Sequence, residues 1–116
     1  MGKPRTKEPE FDKDGYPTAR TLRVIAEWPL RDLRGLMEFI CRAWNWAHMA
    51  TREISNAERE IIGVESAGNF YRFATGGWSG NEELMGALER NRMAYSLTWC
   101  MSARGGLHIF QVRNGQ

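Results

Sequence analysis

The stretch from residue 70 to residue 91 constrains the fold of this chain more than any other, because it joins a strand, a glycine corner and a helix. Residues 70–75 include four aromatic or β-branched side chains, which favours an extended segment. Gly76 and Gly77 follow, and glycine adopts backbone angles that residues with a Cβ atom avoid. The sequence therefore predicts a sharp turn between this strand and the next element.

Residues 79–91 carry the start and stop signals of a short helix. Ser79 followed three residues later by Glu82 fits a capping box, in which a hydroxyl and a carboxylate each accept a hydrogen bond from a backbone N–H. Asn81 is the competing N-cap. Asn91 is typical of a left-handed residue that ends a helix. We predict one central helix between these signals.

The N-terminal third is predicted to hold a tail and one or two helices. Residues 1–16 carry few large apolar side chains, which predicts a flexible charged tail before a single domain over residues 17–116. Residues 17–28 show both a strand-like alternation and a helical stripe, and the prolines at 17 and 29 favour a helix. Leu30 to Trp44 repeats apolar side chains at three- and four-residue steps, which predicts an amphipathic helix.

The remaining segments are predicted to form two hairpins. Residues 60–66 and 70–75 are two extended runs joined by a short loop that contains glycine. Residues 94–102 alternate large and small side chains, residues 103–106 form a turn, and residues 107–112 return as the last strand. We therefore predict an α+β fold, with the N-terminal helices and one central helix packed on a mostly antiparallel sheet of about four strands.

Composition narrows the class of protein. The 116 residues carry a net charge of +2, and glutamates interleave with the arginines, so no strongly basic nucleic-acid footprint is present. Cys41 and Cys100 indicate buried thiols in a reducing compartment, with a single disulfide as the alternative. The sequence contains neither an apolar run long enough to cross a bilayer nor the apolar core of a signal peptide, so we expect no membrane contact and a cytosolic location.

The glycine corner offers the first candidate site. A glycine-rich loop that runs into a helix start can bind an anion through free N–H groups, but no lysine follows as in a phosphate-binding loop. A structural corner is the alternative interpretation. Trp78, a large apolar residue on this loop, is the residue we expect to be most exposed and used in recognition, with Ser79 and Asn81 beside it.

The second candidate lies at Arg104-Gly105-Gly106, which favours a hairpin turn over an RNA-binding tract. Arg104 is expected to project from the end of the sheet toward an acidic partner. His108 follows on the last strand, and neither histidine has neighbours at metal-ligand spacing, so no metal or cofactor is predicted. A hydrolase that uses Ser79 and His108 remains an alternative, although no nucleophile-elbow pattern surrounds Ser79.

The chain resembles a group of small proteins encoded by tailed bacteriophages and prophages, a group with no assigned activity. The resemblance covers roughly residues 29–110. It is carried by Gly35 to Ile40, by the Thr75 to Glu82 motif, which is its most specific part, and by the hairpin from Trp99 to Phe110. The resemblance implies an accessory protein that acts in a host bacterial cytoplasm.

The leading hypothesis is therefore a protein that binds and modulates a host macromolecule, such as a defence factor, without catalysis. Trp78 and Arg104 would be the anchors, and Ser79, Asn81 and His108 are the further binding candidates. The alternative is a nucleotide or nucleic-acid binding module that uses the glycine corner and aromatic side chains. An exposed edge strand would also allow a homodimer.

Overall fold

Helices and a four-stranded sheet make up the fold in a computed structural model, which describes residues 8–63 and 68–113. Short 3-10 turns at Leu30–Asp32 and Ala47–Met49 flank the second helix. In chain order the elements are α1 Ala19–Ala26, α2 Leu33–Ala43, β1 Ala50–Thr51, α3 Asn56–Ile62, β2 Gly68–Ala74, α4 Ser79–Arg90, α5 Arg92–Thr98, β3 Trp99–Ala103 and β4 Leu107–Arg113. The predicted α+β class is confirmed.

The sheet has the strand order β1-β2-β4-β3, and every neighbouring pair is antiparallel. The predicted strand at residues 70–75 is present as β2, and the predicted hairpin at residues 94–112 is present from Trp99 onward. In the register of β2 and β4, Tyr71 lies opposite Phe110. Side chains on that face of the sheet pack against α2 and α4 to form the core. Full burial of one such side chain stabilises the fold by about 1.5–3 kcal/mol.

The predicted strand at residues 60–66 is wrong where the structure describes it. Asn56–Ile62 form α3, because Ser55 and Glu58 complete a capping box that fixes the start of the helix. Residues 64–66 lie outside the described part of the chain. The strand β2 pairs instead with β1 and β4, so the first predicted hairpin does not form.

The predicted strand at residues 94–102 is half wrong, since α5 occupies Arg92–Thr98 and β3 begins only at Trp99. Ala94 and Thr98 are both buried, and they lie four residues apart on one face of the helix. The Thr98 hydroxyl also donates to the Ala94 carbonyl at 2.6 Å. The small side chains Ala94 and Thr98 therefore face the core from a helix, where the alternation predicted a strand.

The predicted helices of the N-terminal third are present with shifted starts. Thr18 caps α1, so Pro17 lies just outside the helix. Asp32 caps α2 by accepting a hydrogen bond from the Gly35 N–H at 3.1 Å. A Cβ atom at Gly35 would lie 2.1 Å from the Asp32 carboxylate, so glycine leaves room for the cap.

The described part of the predicted tail does not extend freely into solvent. Glu10 and Thr21 exchange hydrogen bonds of 2.7 and 2.8 Å, and Phe11 forms a β-bridge with Pro17. The Tyr16 side chain reaches the start of α4. Residues 8–16 therefore lie on the domain, because hydrogen bonds and one aromatic ring compensate for their low apolar content. Residues 1–7 lie outside the description.

The central helix α4 is confirmed over Ser79–Arg90, but the predicted capping interactions at its two ends are wrong. Trp78 is the N-cap residue and no side chain caps the helix start. Asn91 follows the helix with a φ of −86°, which is not left-handed. Its amide instead donates to the carbonyls of Ile25 and Trp28 at 3.0 and 3.1 Å. Asn91 thus ties the end of α4 to the end of α1.

Candidate functional site

The structure brings the two sequence motifs together. The Thr75 N–H donates to the Gly106 carbonyl at 3.0 Å, so the glycine corner and the turn between β3 and β4 lie side by side. Gly106 has a φ of +83°, and a Cβ atom there would lie 2.0 Å from the Thr75 hydroxyl. Only glycine fits this position. The turn therefore fixes where the corner lies.

Trp78 is not the exposed residue that the sequence predicts, because its indole is half-buried. The ring lies over Gly80, where a Cβ atom would come within 2.2 Å of the indole. Tyr16 packs against it with 4.8 Å between ring centroids. The Tyr16 hydroxyl lies 3.1 Å from the hydroxyl of Ser79. The predicted capping serine instead helps to hold Tyr16 on Trp78.

Trp46 is the exposed tryptophan of this region, with 43% of its surface accessible. Its ring lies 6.3 Å from that of Trp78, and a Cβ atom at Gly76 would lie 2.8 Å from it. Trp46 has a φ of 63°, and it is the one non-glycine residue with a positive φ in residues 8–63 and 68–113. We call Tyr16, Trp46 and Trp78 the aromatic surface.

Asn81 holds the two loops that carry these tryptophans. It is fully buried in the first turn of α4, so it is neither an N-cap nor a group that a partner can reach. Its side-chain oxygen accepts from the Asn45 N–H at 2.9 Å, and its amide donates to the carbonyls of Asn45 and Thr75 at 3.2 and 3.3 Å. Asn81 thereby fixes the backbone immediately before Trp46 and before the glycine corner.

The left-handed conformation of Trp46 follows from this clamp. A non-glycine residue in the left-handed region costs roughly 1–2 kcal/mol and persists only where its surroundings fix it. Asn45 is bound on both its N–H and its carbonyl, so the next residue has little freedom to relax. The exposed indole is therefore held in one place before any partner arrives.

Arg104 is exposed at the tip of the turn, as predicted. The anion-binding interpretation of the glycine corner is less well supported. The indole of Trp78 covers Gly80 in the first turn of α4, and exposed Glu82 and Glu83 add negative charge there. The accessible groups in this region include the Trp46 ring and the Arg104 guanidinium as well as these carboxylates.

His108 lies on β4, and its hydrogen-bond partner differs from the residues of the aromatic surface. Its Nδ1 is 2.9 Å from the Ser102 hydroxyl, which also accepts a hydrogen bond from the Trp99 indole at 2.9 Å. Burial lowers the pKa of His108, and the nearby Glu89 carboxylate opposes that shift. The structure therefore pairs His108 with Ser102 rather than with Ser79, so the predicted Ser79–His108 hydrolase pair does not form.

A second polar region surrounds an open cavity of about 730 Å³ beside β1, lined by residues 50–55, Glu58 and Arg72. Arg72 donates from Nε to both oxygens of Glu58 at 3.2 and 3.1 Å, and Arg52 forms an ion pair with Glu38. These carboxylates neutralise the two arginines. The cavity therefore lacks the unpaired positive charge that an anion site needs.

Neither cysteine is in a disulfide. Burial raises the pKa of the Cys41 thiol to about 11, which keeps it protonated and unreactive at neutral pH. Among the described residues, no group of three or more His, Cys, Asp or Glu side chains is placed to hold a metal ion. In the same residues, no helix has both the length and the apolar character that a bilayer crossing requires.

Sequence reasoning places Tyr16 in the tail and so misses it as a member of this site. It names Asn81 as a binding residue, but the buried role of Asn81 depends on a backbone group 36 residues earlier in the chain. No local pattern reports such a contact. No protein-family model, curated protein or solved structure matches this chain, so its function has to be inferred from the geometry.

Proposed function

We propose that this chain is a non-catalytic binding protein that engages a host macromolecule, with a protein as the leading partner, through the aromatic surface and Arg104. The phage context and the bacterial cytoplasm are part of this proposal and rest on the sequence resemblance. The single observation that carries it is Trp46, an exposed indole held in a left-handed conformation by the buried Asn81 clamp.

The binding energy expected from Trp46 depends on the size and the rigidity of its side chain. Tryptophan and arginine are enriched among the residues that contribute most to protein interfaces, and truncating such a residue costs about 2–4 kcal/mol of binding free energy. A side chain that is already fixed loses little conformational entropy on binding. Trp46 meets both conditions, whereas the exposed arginine supplies charge for orientation and for the rate of encounter.

The central experiment is a binding comparison between Trp46→Ala and the wild-type chain. Affinity capture from bacterial lysate with quantitative mass spectrometry identifies a protein that the wild type enriches, and titration with that purified protein then gives the affinity. We expect Trp46→Ala to weaken binding by a factor of roughly 30 or more, as about 2 kcal/mol implies. Its thermal stability should change little, because the ring is exposed.

Leu30→Ala is the matched control, since Leu30 is 41% exposed and lies in a different element. It should bind like the wild type. Equal binding by Trp46→Ala and Leu30→Ala would contradict the proposal. Trp78→Ala is less informative, because the half-buried ring over Gly80 also contributes to stability.

A nucleic acid or nucleotide is the second candidate, because an exposed indole can stack on a base and an exposed arginine can contact a phosphate. This alternative predicts salt-sensitive binding that Trp46→Ala weakens. Titration with single-stranded DNA, single-stranded RNA and free nucleotides at low salt tests it. Binding that is absent or insensitive to Trp46→Ala would remove this candidate and leave the protein partner.

A further inference from the structure

We propose that this chain forms a symmetric dimer in which β3 pairs antiparallel with β3 of a second copy, about a two-fold axis near Ser102. The proposal concerns the opposite side of the sheet from β1 and does not depend on the proposed function. It rests on the strand order, on the contrast between the two sheet edges and on the exposed apolar side chains beside β3.

The strand β3 lies at an edge of the sheet. Within residues 8–63 and 68–113, β4 is the one strand that pairs with it. The outward N–H and C=O groups of an edge strand form a template for another extended strand. A second copy of the same chain supplies such a strand.

The two edges of the sheet differ in how they are protected. The edge strand β1 has only two residues, and charged Arg52 and Glu53 follow it immediately. Short length and charge both discourage pairing between edges. The strand β3 has five residues, Trp99–Ala103, and none of them is charged. Its bulge next to Trp99 leaves the segment from Met101 to Ala103 regularly paired with β4.

Exposed apolar side chains lead into this uncharged edge. Met93 is 56% exposed, Leu97 41% and Trp99 46%, and all three lie within seven residues of chain on α5 and the start of β3. Met93 and Leu97 are four residues apart, so they share one face of the helix. Apolar surface next to an open strand edge is typical of an interaction surface.

Symmetry favours a second copy as the occupant. In an antiparallel pair centred on Ser102, which uses only the regular part of β3, Met101 of each copy lies opposite Ala103 of the other, so no like charges meet across the axis.

The size of the contact indicates a weak dimer. The exposed parts of three apolar side chains and one short strand edge bury less than the ~800 Å² per partner of a standard interface. The dimer should therefore form at high protein concentration and dissociate on dilution. A dimer would also present two copies of the aromatic surface to a partner, which raises avidity without a new contact.

Sedimentation equilibrium over a concentration series tests the proposal with three variants. We expect the wild-type mass to rise from the monomer value toward twice that value. Met93→Lys and Ala103→Lys should remain monomeric, because the first puts a charge into the apolar side of α5 and the second places an ammonium group opposite Met101 of the other copy. Ile61→Lys is the matched control, since Ile61 is 68% exposed on α3, away from this edge, and should dimerise like the wild type.

Amide hydrogen exchange supplies a second readout that distinguishes strand pairing from contact between helices. Exchange in β3 should slow as the wild-type concentration rises, and it should not change in Ala103→Lys. A chain that is monomeric at all concentrations, or a dimer that Met93→Lys and Ala103→Lys leave intact, would overturn the proposal. Partner binding by monomeric Met93→Lys remains a separate measurement, so failure of the dimer and failure of the proposed function are distinguishable.

Discussion

The Asn81 clamp makes the sharpest prediction, because a single buried side chain holds both tryptophan loops. Asn81→Ala removes three hydrogen bonds and leaves the Asn45 N–H and two carbonyls without their partner. A buried polar group left unsatisfied costs about 1–3 kcal/mol. Two of the three bonds are only partly buried, so water can replace part of the loss. We therefore expect a decrease of roughly 2–4 kcal/mol in the free energy of unfolding.

Asn91→Ala is the matched control at the other end of the same helix. Asn91 donates two hydrogen bonds, to the carbonyls of Ile25 and Trp28, so its loss should also cost roughly 1–3 kcal/mol. The two variants are therefore comparable in stability but differ in location. Only Asn81→Ala releases the backbone before Trp46.

Urea unfolding measures the two stability changes, and NMR of the tryptophan indole N–H groups reports where each one acts. Asn81→Ala should shift the indole signals of Trp46 and Trp78, whereas Asn91→Ala should leave both in place. Partner binding should weaken in Asn81→Ala alone. The clamp would be refuted if Asn81→Ala cost less than ~0.5 kcal/mol, the usual effect of a surface substitution, or if both variants moved the same signals.

Gly80→Ala should destabilise the protein and displace the indole of Trp78. Gly86→Ala in the same helix should be neutral or stabilising by up to about 1 kcal/mol. Thermal unfolding measures the stability of both variants, and tryptophan fluorescence reports the position of the indole. The wild-type protein should lose stability as the pH falls below 6.5, because burial lowers the pKa of His108 in the folded state and the unfolded chain therefore binds the proton first. His108→Gln should reduce this loss. Urea unfolding on both sides of pH 6.5 measures how the free energy of unfolding depends on pH. An unchanged pH dependence in His108→Gln would contradict this expectation.

Sequence patterns predicted the elements whose signals are local. The apolar repeat from Leu30 to Trp44 predicts a helix, and α2 lies within it at Leu33–Ala43, because burial of one side of a helix requires apolar residues at that spacing. Residues 70–75 and the hairpin around Arg104 were also predictable. Their β-branched, aromatic and glycine residues act within a few positions.

The errors come from contacts between distant parts of the chain. Alternation at residues 94–98 resembles a strand, yet the burial of Ala94 and Thr98 selects a helix, and that burial depends on the rest of the core. The sequence predicts Ser79 as a helix cap. In the structure its hydroxyl instead contacts the hydroxyl of Tyr16, which lies 63 residues earlier in the chain. Propensity is a weak prior against tertiary contacts of this kind.

The two glycines of the turn after β3 differ in what surrounds them. A Cβ atom at Gly105 would meet nothing within 4 Å, whereas one at Gly106 would meet the Thr75 hydroxyl. A side chain at residue 105 would therefore meet no neighbour, and its cost would come from the φ of +85° alone. Residue 106 joins two loops at close contact. Any side chain there would displace Thr75 and the glycine corner beside it.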